Sequence, residues 1–137
     1  MTISYQVNKP ITAKMFINIF NRSTLGERRP VDDPECMQGM IKNGNLLVTA
    51  WDNKKLVGVS RSVTDFYYAC YLSDLAVDVA YQKQGIGKKL IELTRDALGP
   101  KCRLILLAAP AARDYYWHIG FTHHPRCWIL ERDQEIQ

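Results

Sequence analysis

A chain of 137 residues, 47% hydrophobic and 23% charged, has the composition of one ordinary folded domain and not of a disordered segment. No apolar run approaches the roughly 20 residues that span a bilayer, and the N-terminus lacks the basic and then apolar plan of a signal peptide. The net charge is only +4 and the basic residues are scattered, which disfavours a nucleic-acid partner. We therefore expect a single cytoplasmic domain over residues 1–137, without a membrane partner.

The first 44 residues predict one short strand and two helices. The strand is expected around residues 5–7. Thr12 is a suitable cap for a helix, since the apolar residues that follow it recur at helical spacing. Residues 22–34 carry a glycine, two prolines and many charges, which predicts a loop. A second helix is expected from about Asp33 to Lys42, before Gly44.

Between residues 46 and 79 the apolar pattern changes to that of strands. Residues 46–51 and 56–63 are rich in β-forming residues and flank a short polar turn, which predicts a hairpin. A third strand is expected from about Ala69 to Val79. Three such runs in succession predict an antiparallel meander.

The last third of the chain predicts a helical crossover followed by further strands. Residues 85–98 have an apolar stripe at helical spacing, and the wholly apolar run 104–108 predicts a central strand buried on both faces. A strand, a helix and a strand in this order make the two strands parallel. A last helix is expected over 110–119, with short strands over 121–122 and 128–130. The expected fold is therefore of the α/β (α+β) class, a mixed, mostly antiparallel central sheet of six to seven strands with helices on both faces.

The sharpest local feature is the segment Gln82-Lys83-Gln84-Gly85-Ile86-Gly87-Lys88, which lies between a predicted strand and a predicted helix. A helix N-terminus presents unpaired N–H groups, and two glycines let the backbone approach a bulky anion. Two interpretations stay open at this point: a site for a pyrophosphate-bearing ligand, or only a tight turn. A P-loop has a different spacing, and a dinucleotide fingerprint would need a third glycine where Leu90 stands.

The same segment has the pattern Q/R-x-x-G-x-G/A, and residues 75–90 resemble, along their whole length, the central motif of the GNAT acetyltransferases. Residues 56–61 are similar to the strand that precedes this motif in the family, and residues 111–121 are similar to its late aromatic element. Three elements in the right order are more specific than any one of them. The resemblance, to small single-domain bacterial-type members, covers roughly residues 45–130, and the first 44 residues match only in helix placement.

The resemblance implies acetyl-CoA as co-substrate and no metal. In this family the strand that ends in Leu75, Ala76 and Val77 exposes backbone groups to the pantetheine arm. The N–H of Leu75 or Val77 is then the expected donor to the oxyanion of the tetrahedral intermediate, and the amides of residues 83–88 would cradle the pyrophosphate. The residues expected to bind the cofactor are Leu75, Ala76, Val77, Gln82, Lys83, Gln84, Gly85, Ile86, Gly87 and Lys88.

The resemblance also implies candidates for the two proton transfers of the reaction. Tyr116 matches the family's proton donor, and the alternative is a helix tyrosine that only packs against the sheet. Asp74 is the candidate base, and the alternative is a structural acid that fixes a loop. An asparagine that often contacts the cofactor in this family is replaced here by Ala108-Ala109.

The implied function is transfer of an acetyl group from acetyl-CoA to a primary amine, by direct attack in a ternary complex. The expected acceptor is a small primary amine, an aralkylamine or a polyamine. Several acidic residues between Arg22 and Cys36 would attract a cationic amine, although Arg28 and Arg29 partly offset their charge. A protein N-terminus or lysine is the runner-up, and a non-catalytic acyl-CoA-binding module is a further alternative. Residues 66–68 are expected either to wall the acceptor pocket or to pack over a sheet edge. Dimerisation is frequent in the family, so a homodimer is one expected assembly.

The four cysteines contain no CxxC pair, and buried or reduced thiols are the expected state. The only group of potential zinc ligands at close spacing is Cys127 with His123 and His124. A zinc site usually needs two such groups, so no metal site is expected.

Overall fold

The central element of the fold is a five-stranded sheet, seen in a computed structural model that describes residues 2–137. The chain divides into two compact units, one ending at Leu107 and the other spanning Ala108–Gln137. The strands of the first unit are β1 Ile3–Val7, β2 Leu46–Asp52, β3 Lys55–Thr64, β4 Ala69–Val77 and β5 Arg103–Ile105. Its helices are α1 Ala13–Ser23, α2 Pro34–Asn43 and α3 Ile86–Asp96, and the second unit contains α4 Arg113–His118.

The strands are arranged in the order β1-β2-β3-β4-β5, so each strand pairs with its neighbours in sequence. The first three pairs are antiparallel, and β4 and β5 are parallel, joined by α3. This confirms the predicted meander, the helical crossover and a mixed, mostly antiparallel sheet.

The predicted number of six to seven strands is wrong, because the described residues form five. Residues 121–122 and 128–130 form no strand in the second unit. Each of these runs is only two or three residues long, and Trp128 is 89% exposed. Trp128, Ile129 and Leu130 are all exposed, so this run lacks the side-chain packing that stabilises a strand.

The predicted strand over residues 104–108 is shorter and less buried than expected. β5 comprises three residues, is paired with β4 alone, and exposes both Arg103 and Ile105. A wholly apolar run predicts burial on both faces only if a strand pairs on each side. Because no further strand pairs with it among residues 2–137, β5 lies at an edge of the sheet.

Helices cover both faces of the sheet, as the sequence predicts. Side chains alternate between faces along each strand, so β2 contributes to two separate cores. One core joins α1 and α2 to the sheet and contains Phe16, Ile19, Phe20, Met37, Leu47, Trp51, Leu56, Val59 and Ala76. The other joins α3 to the opposite face and contains Val48, Ala50, Val57, Ile86 and Leu90.

Side-chain caps define where the first two helices begin. Thr12 Oγ1 accepts a hydrogen bond from the Met15 N–H (3.1 Å), and Asp33 Oδ1 accepts one from the Cys36 N–H (3.1 Å). Each bond satisfies a backbone donor that the helix itself leaves unpaired. The predicted last helix over 110–119 is a short 3-10 turn followed by α4. Within residues 2–137, no helix is both long and apolar enough to cross a bilayer.

Candidate active site

The carboxyl-terminal half of β4 is paired on one side only. β3 pairs with β4 as far as Val77, whereas β5 pairs with β4 only at Ala69, Cys70 and Tyr71. β4 therefore separates from its parallel neighbour after Tyr71. The edge of β4 beyond that point is free of ladder hydrogen bonds to β5.

The N–H groups of Leu75 and Val77 point toward this free edge. The Asp78 N–H donates to the Val57 carbonyl of β3 (2.9 Å), which fixes its direction. Successive N–H groups of a strand point to opposite sides, so those of Val77 and Leu75 point away from β3. The Gln82 side-chain amide donates to the Val77 carbonyl (3.0 Å). A polar group can therefore reach the backbone at the free edge of β4.

The side chains of this stretch divide between the two cores. Asp74 and Ala76 are buried on the face that α1 and α2 cover, and Ala76 belongs to that core. Leu75 and Val77 are half-buried and pack against the core beneath α3. The side chains of residues 74–77 therefore alternate between the two faces of the sheet, as in any regular strand.

The loop that follows β4 has two residues in the left-handed region. Lys83 has φ of 63° and Gly85 has φ of 82°, and α3 begins immediately afterwards at Ile86. Gly85 is the cap of α3 and no side chain bonds to this helix end. The first intrahelical bond runs from the Lys89 N–H to the Gly85 carbonyl (3.0 Å), which leaves the earlier N–H groups of the helix without an intrahelical acceptor.

Gly85 is required by the backbone and not by packing. Its positive φ disfavours any residue with a Cβ, while a Cβ built there would meet no atom within 4 Å. Gly87 lies inside α3, and Ile86 is buried in the core beneath that helix. An anion approaching from solvent therefore meets the backbone of this segment and the exposed side chains of Lys83 and Lys88.

A buried ion pair fastens the start of this loop. The Asp78 carboxylate accepts hydrogen bonds from the Ala80 N–H (2.8 Å) and from the Arg22 guanidinium of α1. Arg22 also donates to the Leu56 carbonyl (2.6 Å), and Lys55 Nζ lies 4.0 Å from Asp78. Burial raises the pKa of the Asp78 carboxyl, but the Ala80 N–H and the Arg22 guanidinium outweigh it and hold the pKa below its usual value.

Asp74 lies between two arginines. Its Oδ1 accepts a hydrogen bond from Arg29 Nε (2.5 Å) and its Oδ2 accepts one from Arg61 Nε (2.5 Å). Asp74 is completely buried, and Arg29 belongs to the loop between α1 and α2. Each carboxylate oxygen thus accepts a hydrogen bond from a guanidinium, and Asp74 joins this loop to β3 and β4.

Each arginine also binds the residue before Asp74. Arg29 Nη2 donates to the Ser73 carbonyl (2.8 Å), and Arg61 Nη2 donates to the Ser73 hydroxyl (3.0 Å). Arg61 Nη1 donates to the Met40 carbonyl near the end of α2 (3.1 Å). The loop, the second helix and two strands are therefore linked through this cluster.

Tyr116 lies in the second unit, on α4. Its ring makes edge-on contacts with Tyr115 (5.3 Å between centroids) and with Phe121 (5.4 Å). Burial, with a smaller contribution from Tyr115, raises the pKa of Tyr116 to about 12. Its phenol therefore keeps its proton throughout the physiological range.

The aromatic loop between β3 and β4 is built around Asp65. One carboxylate oxygen accepts hydrogen bonds from the N–H groups of Tyr67, Tyr68 and Ala69 (2.8–3.0 Å), and these bonds lower the pKa of Asp65. Tyr67 is 80% exposed and Tyr68 is 67% exposed. Packing of these two rings over a sheet edge is therefore not observed, and their role as an acceptor wall stays a prediction.

Sequence reasoning missed the arginines that partner the two aspartates. Arg22 and Arg29 carry no local signal, since both lie in polar stretches of the chain. Arg61 does carry one, because a charged residue within an apolar strand needs a buried partner. Within residues 2–137, no group of three potential metal ligands is close enough to hold an ion.

The sequence as a whole matches a known family. The model of the acetyltransferase (GNAT) domain matches residues 26–127, which is most of the chain. The chain belongs to the GNAT family of acetyltransferases. Because the match continues past Leu107, it includes parts of both structural units.

Curated GNAT relatives share a segment of this chain. The chain is 35% identical over 74 residues to GCN5-related N-acetyltransferase 2, chloroplastic, of Arabidopsis thaliana, which is 53% of this chain and 29% of the relative. It is 34% identical over 76 residues to histone acetyltransferase TAP1 of Glycine max, 54% of this chain and 31% of the relative. The chain spans about a third of the length of these two relatives.

Solved GNAT structures share the fold across nearly the whole chain. A GNAT family acetyltransferase of Streptococcus pneumoniae has a TM-score of 0.76 at 19% identity, over 96% of this chain and 100% of the other. The aminoglycoside N-acetyltransferase AAC(6')-Iy, solved in complex with CoA, has a TM-score of 0.73 at 13% identity, over 97% and 96%. At these identities the likeness establishes the GNAT fold.

Proposed function

We propose that this chain is an acetyl-CoA-dependent N-acetyltransferase, which transfers the acetyl group to a primary amine by direct attack in a ternary complex. The observation that carries the proposal is one continuous stretch of the chain with unpaired backbone N–H groups at both ends. It begins at the free edge of β4, at Leu75 and Val77, and ends at the uncapped N-terminus of α3. A thioester and its pantetheine arm suit the strand edge, and a pyrophosphate suits the helix end.

Each bond change in the reaction has a group to support it. The amine nitrogen forms a bond to the thioester carbonyl carbon, and the carbonyl oxygen becomes an oxyanion. The N–H of Leu75 or Val77 donates to this oxyanion. The C–S bond then breaks, coenzyme A leaves as a thiolate that takes up a proton, and the amine loses one.

Tyr116 is the proposed donor to the departing sulfur. A phenol with a pKa of about 12 is always protonated at working pH, so its hydrogen bond is available to every substrate molecule. Full transfer to an ordinary thiolate, with a pKa of about 8.5, is uphill by about 5 kcal/mol. Tyr116 therefore acts first by hydrogen bonding to the sulfur as negative charge develops on it.

We propose that water is the base that takes the proton from the amine. Asp74 was the candidate base, but both of its oxygens are held by arginines and its side chain is fully buried. We assign Asp74 to the structural alternative, in which it fixes the loop that carries Arg29 beside β4. Water at the free edge of β4 then takes the proton.

The acceptor we propose is a small molecule. We also propose that residues 1–137 form one acetyltransferase domain. Small amines are favoured because fold neighbours include aminoglycoside acetyltransferases, two of them solved with sisomicin or with CoA. A protein acceptor is the second candidate, since one relative is called a histone acetyltransferase. Four free cysteines suit a reducing, cytoplasmic compartment.

The proposal is tested by titrating acetyl-CoA into the protein and by measuring thiol release with a panel of amines. Binding together with amine-dependent release of coenzyme A supports an enzyme. Binding with no release for any amine supports the non-catalytic acyl-CoA-binding module. Absence of binding by folded protein refutes both readings.

A further inference from the structure

We propose that Arg29 makes the acceptor site selective for amines that also carry a carboxylate, an inference that rests on the acetyltransferase function proposed above. Three features support it: the cluster around Asp74 has an excess of positive charge, Arg29 has unused N–H donors, and Arg29 lies beside β4.

The cluster around Asp74 has an excess of positive charge. It contains two guanidinium groups, from Arg29 and Arg61, and one carboxylate. Within residues 2–137, no other carboxylate lies within 4.0 Å of either guanidinium. One positive charge is therefore left without a partner next to β4, and an anionic group on the acceptor would neutralise it.

Arg29 is the member of the cluster that can bind a ligand. A guanidinium has five N–H donors, and Arg29 uses three of them, on Asp74, on the Ser73 carbonyl and on the Arg28 carbonyl. Its side chain is 23% exposed, whereas that of Arg61 is 8% exposed. Arg29 therefore combines spare donors with access to solvent, and it is held in place by its three bonds.

The position of Arg29 along β4 suits an acceptor amine at the reacting carbonyl. Arg29 binds Ser73 and Asp74, and the proposed oxyanion donors at Leu75 and Val77 come directly afterwards. Two residues along a strand span roughly 7 Å. An amine at the free edge of β4 can thus place a carboxylate at Arg29 if a few bonds separate the two groups.

The acidic residues of the α1–α2 loop do not offset this charge. Asp33 caps α2, and Glu27 and Asp32 of the loop, like Glu35 in the first turn of α2, are exposed and form no ion pair among the described residues. Charges in open solvent are screened over about 10 Å at moderate salt. The polyamine expected from the acidic composition of this loop is therefore disfavoured relative to an aminocarboxylate.

The test compares matched acceptors on the wild-type protein. γ-Aminobutyrate, its primary amide and putrescine present the same amine with a negative, a neutral and a positive far end. We expect kcat/KM to be about tenfold to a hundredfold higher for the carboxylate than for the amide, and higher still relative to putrescine. Equal or reversed preference overturns the inference.

Variants then assign the preference to Arg29. Arg29→Gln should reduce the ratio between carboxylate and amide to about one, through KM and not kcat, with the Kd for acetyl-CoA unchanged. Arg28→Gln removes the same charge from the exposed neighbour and should keep the preference. A preference that survives in Arg29→Gln overturns the assignment. If that variant does not fold, Arg29→Lys, which keeps the charge but not the fork of donors, should show a reduced ratio, and an unchanged ratio there overturns it equally.

The result also separates this inference from the proposed function. Turnover of putrescine but not of γ-aminobutyrate would support the acetyltransferase function and refute the preference for a carboxylate. No turnover of any amine by protein that binds acetyl-CoA refutes the transfer activity, and the inference with it.

Discussion

The proposed cofactor side and the proposed acceptor side of β4 are built from different parts of the chain. The cofactor side consists mainly of backbone: the free edge at Leu75 and Val77, the left-handed Gly85 and the uncapped end of α3. The acceptor side consists of side chains, with Arg29 and Arg61 held on Asp74. A backbone site can serve one invariant cofactor, whereas a side-chain site can change its substrate by a single substitution.

The largest effect is expected on the acceptor side, at Asp74. Asp74→Asn leaves two guanidinium groups without their carboxylate, and breaking a buried ion pair in this way costs about 3–5 kcal/mol of unfolding free energy. Chemical denaturation measures it. Asp96→Asn is the control, because its pair with Arg95 is exposed and contributes about 0.5 kcal/mol or less. Unchanged stability with a lost kcat would instead identify Asp74 as the base.

The next largest effect is expected at Tyr116. Tyr116→Phe should lower kcat by about a hundredfold, the lower part of the range for a lost general acid, and should leave the Kd for acetyl-CoA unchanged. Tyr115→Phe changes the neighbouring phenol and should have little effect. Similar losses of kcat in both variants would mean that these two tyrosines contribute to packing and not to catalysis.

The pH dependence tests the same residue. In the proposed mechanism Tyr116 acts in its protonated form. Its pKa is raised from 10.0 to about 12, so it loses its proton only as the pH rises through about 12. We therefore expect no alkaline fall in kcat up to about pH 10. A fall near pH 9 that Tyr116→Phe abolishes would contradict this.

A smaller effect is expected at Asp78. This residue links the proposed cofactor loop, residues 78–85 between β4 and α3, to α1. Asp78→Asn should cost about 1–2 kcal/mol of stability and weaken acetyl-CoA binding several-fold, because the loop loses its tie to Arg22. The folded-state pKa of Asp78 is depressed, so its contribution is present above the unfolded pKa of about 3.9 and is lost as the pH falls through the folded pKa. The difference between wild type and variant should therefore shrink below about pH 4, and a difference that is constant with pH would contradict this.

The smallest effect is expected from Lys88, an exposed lysine in the first turn of α3. Lys88→Gln should raise the Kd for acetyl-CoA only about twofold to threefold, because exposed charges are screened and the backbone carries most of the binding. Lys101→Gln, an exposed lysine beyond the opposite end of α3, is the control. A loss of a hundredfold at Lys88 would show that side chains dominate this side as well.

This division also explains what could be predicted from the sequence. The cap at Thr12, the hairpin, the meander and the segment around Gly85 depend on nearby residues, so local patterns reveal them. The Arg29–Asp74 pair joins residues 45 positions apart, and no local sequence pattern near either residue indicates the pair. The burial of the 104–108 run was predicted wrongly for the same reason, because it depends on a partner strand elsewhere in the chain.

The central claim, that backbone geometry builds the cofactor side, is tested most directly by titrating acetyl-CoA into wild type, Gly85→Val and Gly39→Ala. Gly39 lies in α2 with no left-handed φ and with open space around it, so alanine there should stabilise the protein and leave binding unchanged. We predict micromolar binding by wild type and by Gly39→Ala, and at least tenfold weaker binding by Gly85→Val, whose β-branched side chain disfavours the left-handed conformation. Equal binding by folded Gly85→Val, or none by wild type, would contradict the claim.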